Sequence, residues 1–237
     1  MRGDGRAPAD GRRHWLLVID TATSRIVVAA AAPDGSLLGA TTWEAGRTHG
    51  AQLLPAIGRL TGEANLRRSR IRGVIVGTGP GAFTGLRVGL ATAKAVAHEL
   101  GAPIAGVSTG EALLRAAADA TGEPPDRLVL LLPAGPNDRH VVRAGAAAEL
   151  LPGGTDPELG DREVLVAVDL DDRAPADAVI RGERARAGLP VALAELGAAR
   201  LSTTDGDDLA RLVPEYVSLP RGVRAETGEV AWSRDPR

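Results

Sequence analysis

The 237-residue chain contains no cysteine. Disulfides, thiolate metal sites and a cysteine nucleophile are thereby excluded, an absence that suits a reducing compartment. Lysine is almost missing: Lys94 stands alone against many arginines, and with Ala, Gly and Arg abundant throughout this reads as compositional bias rather than function. No uncharged apolar run approaches the roughly 18 residues of a membrane helix. The apolar run Trp15–Ile19 stops at Asp20, too short for the core of a signal peptide. A strong excess of one charge is also lacking. The formal net charge of −2 argues against binding nucleic acid by bulk charge, so any RNA is expected to be reached only through a partner. The four histidines, His14, His49, His98 and His140, include no pair at metal-ligand spacing. Ser108 and Thr109 lie outside any Gly-x-Ser-x-Gly elbow. No catalytic residue, metal ligand or cofactor is expected, and the protein is expected in the cytoplasm.

A hydrophobic content of 44% is sufficient for one large domain or two lobes of about a hundred residues each. Leu16–Asp20, Arg25–Ala32 and Leu37–Trp43 read as three strands joined by short turns, an antiparallel meander. A helix is predicted from His49 to Ala64, with Leu53, Leu54, Ile57 and Leu60 at helical spacing and Pro55 inside it. A strand over Arg72–Gly77, a helix from Thr84 to Leu100 capped by Thr84, a strand over Ile104–Val107 and a Ser108-capped helix to Ala118 follow. This β-β-β-α-β-α-β-α order is that of the ribonuclease-H-like half of an actin-type α/β fold. Further on, strands are predicted over Arg127–Leu132, Arg139–Ala146, Glu163–Val168 and Ala178–Arg181, and helices over Pro190–Leu201 and Asp207–Leu212. With a hinge near Thr121–Pro125, the expected division is a disordered tail (1–13), an N-terminal lobe (14–121), a degenerate C-terminal lobe (122–220) and a second disordered tail (221–237).

The most informative stretch is Gly77-Thr78-Gly79-Pro80-Gly81-Ala82-Phe83-Thr84-Gly85-Leu86-Arg87-Val88-Gly89, with five glycines in thirteen residues. Such a loop permits tight turns and close approach to a helix start, by a phosphate or by protein. The dinucleotide fingerprint fits poorly, because Pro80 removes an amide and the next strand ends on Ser108 and Thr109 rather than on an acid. A Walker loop is excluded by Leu86-Arg87 after Gly85. Gly79, Pro80, Gly81, Phe83, Thr84 and Gly85 are assigned a structural role. Asp20, Thr21 and Thr23, in the turn Asp20-Thr21-Ala22-Thr23, could hold a nucleotide phosphate or a metal, or simply tie their own backbone, the preferred reading. In the helix after the loop, Arg87, Ala91, Lys94 and His98 fall on a polar stripe, whereas Gly89-x-x-x-Ala93-x-x-x-Ala97 makes a ridge of small residues. That ridge suits close packing on the protein's own sheet or on another subunit, and spacing alone leaves both open.

Leu17-Val18-Ile19-Asp20-Thr21-Ala22-Thr23, Arg47-Thr48-His49, the glycine stretch, and Gly106-Val107-Ser108-Thr109-Gly110-Glu111-Ala112-Leu113 together resemble the TsaB (YeaZ) family, as does Val213-Pro214-Glu215-Tyr216 near the C-terminus. The resemblance implies an actin-like two-lobed fold and a non-catalytic subunit that pairs with TsaD in threonylcarbamoyladenosine modification of tRNA. It also implies a TsaE-like ATPase in the same complex and possible self-association through the same helices. Catalytic TsaD relatives carry two metal-binding histidines after the fifth strand; Ser108–Leu113 has neither. The implied partner face is the helix pair, through His49, Leu53, Ile57, Leu60, Leu86, Gly89, Leu90, Ala93, Val96 and Ala97. Pro133–His140 departs from the family's pattern. An enzymatic alternative is a vestigial ATPase or glycoprotease-like hydrolase acting through Asp20 and the glycine loop.

Overall fold

The computed structural model describes residues 13–45 and 49–217, with side chains at 49–51 left out. The expected tails, apart from Arg13, and the Arg47-Thr48 part of the family motif lie outside the described residues. Five strands form the first sheet: β1 (Trp15–Asp20), β2 (Arg25–Ala31), β3 (Leu37–Glu44), β4 (Ile71–Gly77) and β5 (Ile104–Val107), in the order β3-β2-β1-β4-β5. β1 pairs antiparallel with β2 and parallel with β4, and all six of its residues are buried. A continuous apolar run is what a central strand covered on both faces requires. β3, at the edge, alternates instead between half-buried and exposed residues over Ala40–Glu44.

Helices cover both faces. α1 (His49–Glu63) and α2 (Phe83–Leu100) lie on one side over Trp15, Leu17, Ile19, Val28 and Val76. α3 (Thr109–Thr121) lies on the other with Leu16, Val18 and Ile75. The first lobe thus has the predicted ribonuclease-H-like order. Ser108 caps α3 as expected, accepting from the Glu111 N–H at 3.4 Å. Thr84 does not cap α2: the helix opens one residue earlier, after Ala82, and has no side-chain cap. Gly101 ends it in the left-handed region (φ 57°), where glycine pays no steric penalty.

The second sheet is smaller: β6 (Leu128–Pro133), β7 (Arg139–Val142), β8 (Glu149–Leu151) and β9 (Val164–Ala167), in the order β8-β7-β6-β9. β6 pairs antiparallel with β7 and parallel with β9, repeating the first four positions of the larger sheet. The largest difference from expectation is α4 (Ala176–Thr203), one helix of 28 residues. It absorbs the strand predicted over Ala178–Arg181 and runs through Pro190, where a helix start was expected. Buried residues such as Ala185, Leu189 and Leu193 join α3 and strands of both sheets in one core, so the helix lacks the single apolar stripe that reveals a surface helix. Asp207–Leu212 is not a helix but a turn. Asp207 N–H donates to the Ile104 carbonyl at 2.7 Å, and the Gly106 N–H donates to the Asp207 carboxylate at 2.8 Å, so the segment starts by covering the edge of β5. No described helix is long and apolar enough to cross a membrane.

Candidate functional site

The Asp20–Thr23 turn at the end of β1 and the glycine loop after β4 meet face to face. A Cβ at Gly77 would overlap the Asp20 carboxylate, one at Gly81 the Ala22 carbonyl, one at Gly85 the Thr21 carbonyl and one at Gly89 the Thr21 hydroxyl. Gly81 and Gly85 therefore serve close approach of one backbone to another, and Gly77 and Gly89 make room for the Asp20 and Thr21 side chains. Hydrogen bonds fasten the contact: Thr21 Oγ1 donates to the Gly85 carbonyl at 2.7 Å and the Ala82 N–H donates to the Ala22 carbonyl at 2.8 Å. The loop includes a cis Gly79–Pro80 bond.

Asp20 is fully buried beneath this seal. Its carboxyl accepts from Thr109 Oγ1 at 2.6 Å and from the Ala22 N–H at 3.1 Å. Burial pushes its pKa up to about 6, opposed by those two hydrogen bonds and slightly reinforced by the charge of Asp169. Thr21 and Thr23 are buried too, their hydroxyls donating to the carbonyls of Gly85 and Arg25. The three residues weighed as phosphate or metal ligands thus have their polar side chains engaged within the protein. Among the described residues, no group of three or more His, Asp or Glu is placed to hold a metal.

The helix pair requires a correction. Leu53, Ile57, Leu60, Leu86, Gly89, Leu90, Ala93 and Ala97 are all buried within the protein's own core, Val96 is half-buried, and the side chain of His49 is outside the described residues. The small-residue ridge of α2 lies inward because Gly89 and Ala93 let the helix sit close to β1 and its turn. What faces outward is Thr84, Arg87, Ala91, Ala95 and His98 at three- and four-residue spacing, with Leu54, Pro55, Arg59 and Gly62 on α1. Leu54, 62% exposed, is a large apolar side chain left outside.

Sequence reasoning missed two fastenings. Val213–Tyr216 crosses the mouth of the glycine loop: the Glu215 N–H donates to the Thr78 carbonyl at 2.7 Å, the Tyr216 ring lies 5.3 Å from Phe83, and Arg87 Nε donates to the Tyr216 hydroxyl at 3.1 Å. Arg87 also stacks 3.8 Å above the Phe83 ring. The Pro-x-Tyr pattern marked these residues without indicating their place. The second fastening joins the lobes. Asp169, at φ 58° just after β9, accepts from the Ser24 N–H and hydroxyl at 2.6 Å and from Arg186 at 2.5 Å. Arg186 also pairs with Glu183 at 2.7 Å. No local pattern announces a contact spanning 145 residues. A cleft of about 720 Å³ lies beside it, bounded by Ala22–Ser24, Gly81–Phe83, Pro133–Pro136, His140 and Tyr216.

A family model described as "TsaD: tRNA N6-adenosine threonylcarbamoyltransferase" matches residues 39–187. The chain belongs to the TsaD family. An uncharacterized protein of Mycobacterium leprae is 40% identical over 102 residues, covering 41% of this chain and 28% of the relative. The Bacillus subtilis tRNA threonylcarbamoyladenosine biosynthesis protein TsaB is 30% identical over 98 residues, covering 41% of this chain and 42% of that protein. The matched region spans less than half the length of either relative. YeaZ from Pseudomonas aeruginosa superposes with a TM-score of 0.67 at 21% identity, covering 86% of this TsaD-family chain and 99% of that one, which shows a shared fold.

Proposed function

We propose that this chain is a non-catalytic subunit that binds TsaD and holds it active in threonylcarbamoyladenosine modification of tRNA. The sealed Asp20 turn carries the reading. The turn that follows β1 borders the cleft through Ala22–Ser24, yet the polar side chains of Asp20, Thr21 and Thr23 are engaged with Thr109, Ala22, Gly85 and Arg25 rather than offered to a phosphate. The relatives named for threonylcarbamoyladenosine biosynthesis support the pathway.

The outward faces of α1 and α2 are the partner surface in this proposal, replacing the inward ridge. Ala91 and Ala95 are small enough for a partner helix to approach closely, and Leu54 supplies apolar area. A standard interface would cover about 800 Å² on each side. The same face offers a route to self-association when TsaD is absent, and a TsaE-like ATPase would join the assembly elsewhere. Two measurements test the proposal. Copurification of the tagged full chain with TsaD is expected to be retained by the wild type and lost by Ala95→Trp. Calorimetry of the isolated chain with ATP and magnesium is expected to give no heat of binding; micromolar binding would favour the ATPase alternative.

A further inference from the structure

The end of the first sheet opposite the glycine loop carries a concentration of positive charge that the net charge of −2 conceals. Arg67, Arg68, Arg70 and Arg72 fall within six residues, the first three on the turn that leads into β4 and Arg72 at the start of that strand, and Arg59 lies exposed on α1. Arg68 reaches back to that helix, with its Nη2 3.6 Å from the position a Cβ would take on Gly58. None of these five arginines forms an ion pair among the described residues, although arginines elsewhere are repeatedly paired with carboxylates, as Arg25, Arg115, Arg143, Arg181 and Arg200 are.

The turn is held firmly. Trp15, fully buried, donates its indole N–H to the Arg67 carbonyl at 3.0 Å, and the Arg70 N–H donates to the same carbonyl at 2.9 Å. Beside it, the His14 Nε2 lies 3.3 Å from Arg70 Nη1 and 3.0 Å from Arg72 Nη2. Guanidinium groups only donate, so Nε2 must act as the acceptor and the imidazole must be neutral. Desolvation, then the charges of Arg72 and Arg70, hold the His14 pKa below its ordinary value. Two guanidinium groups are thus gathered on one uncharged ring with no carboxylate between them. That repulsion is relieved by an anion presenting several oxygens to both forks, which is what a phosphate does.

We propose that His14, Arg67, Arg68, Arg70 and Arg72 form a docking site for an RNA phosphodiester backbone. Spaced guanidinium groups along a turn suit successive phosphates, whereas a membrane surface would call for apolar anchors beside them. The choice of RNA among polyanions rests on the tRNA-pathway reading above; the site itself does not. In this proposal RNA is touched by the chain directly, not only through its partner.

Titration of a fluorescein-labelled, unmodified tRNA transcript with the isolated full chain, read by anisotropy at several salt concentrations, tests it. Replacing Arg67, Arg68, Arg70 and Arg72 together by Gln is expected to weaken binding at least tenfold and to flatten the plot of log affinity against log salt by roughly 3, at about 0.7 to 0.9 for each phosphate no longer neutralised. The matching quadruple replacement by Lys is expected to keep most of that slope, which separates charge from folding. Equal affinity and slope for the Gln variant and the wild type would overturn the proposal. So would displacement of the wild-type complex by millimolar inorganic phosphate, which would mark a small-anion site. If the Gln variant still copurifies with TsaD while losing RNA, the partner reading stands apart; loss of copurification by Ala95→Trp with RNA binding intact would separate them in the other direction.

Discussion

The two lobes repeat one plan unequally. β6, β7, β8 and β9 occupy the positions of β1, β2, β3 and β4, with the same pairing senses, and α4 follows β9 as α2 follows β4. The second lobe lacks a helix between its third and fourth strands, where residues 152–163 form only turns and irregular backbone, and it has no fifth strand among the described residues. Both lobes pack a glycine of the following helix against a backbone carbonyl: Gly85 against Thr21 in the first, Gly182 against Ala167 in the second. The difference lies in what remains outside. The first lobe carries a two-helix layer with an outward face, whereas the second lends its long helix to the common core. The second lobe also leaves apolar side chains outside, Leu150, Leu159, Ile180 and Val191 among them, but scattered over a short strand, a loop and the long helix.

If the lobes depend on one another in this way, breaking the latch between them has the largest effect. Replacing Arg186 by Met leaves the Asp169 carboxylate buried with its charge uncompensated; their side chains are 10% and 9% exposed. A loss of about 3 to 5 kcal/mol is expected. Urea denaturation checks it, and a single cooperative transition in the wild type against two in Arg186→Met would show that the latch is what makes the lobes unfold together. The glycine contacts allow a matched pair of tests. Gly85→Ala and Gly182→Ala each drive a methyl group into backbone, with an expected cost of about 2 to 3 kcal/mol. Gly85 meets the turn after β1 and Gly182 the end of β9, so losses in both would show that each helix needs its own close backbone contact, and tolerance of Gly182→Ala alone would show that the α4 contact can relax.

The buried Asp20 makes the stability of the first lobe depend on pH. Its folded pKa, about 6, lies above the unfolded value of 3.8, so the folded chain binds the proton more tightly. Stability from this group is greatest at or below pH 3.8, falls as pH rises to about 6, and is level above that. A shift of this size corresponds to roughly 3 kcal/mol. Asp20→Asn is expected to lose this part of the pH dependence, seen as a wild-type-minus-variant stability difference that changes between about pH 4 and 6.5 and is flat above. A constant difference across that range would mean that Asp20 titrates normally.

The first lobe was legible because its signals are local. β1 is a continuous apolar run, α1 has apolar residues at three- and four-residue spacing, and Ser108 stands where a cap is needed. The second lobe hides its plan for a physical reason. α4 is covered by α3 and by strands of both sheets, so its apolar residues do not keep to one side, and Val179-Ile180 passes for strand while Pro190 passes for a start. Sequence placed the glycine loop against something close but did not reveal that Asp20, Thr21 and Ala22 are what it touches. The sense of α2 was lost in the same way: the small-residue ridge suits a neighbour's backbone, and the neighbour is β1 with its turn.

That reversal supplies the smallest effect on stability and the clearest test of the outward face. Ala93 is fully buried against β1 and β4, so Ala93→Trp would overpack the core and destabilise the protein by about 1 to 3 kcal/mol or more, losing partners only because the fold suffers. Ala95, two residues on, points to solvent. Ala95→Trp is expected to leave stability within about 0.5 kcal/mol of wild type, as surface changes generally do. Association with TsaD is nevertheless expected to weaken at least tenfold, equivalent to about 1.4 kcal/mol. Thermal melting and copurification on the same preparations separate the two variants. An Ala95→Trp protein that melts normally and still binds TsaD would remove the outer face of α2 from the partner surface and direct attention to α1 around Leu54.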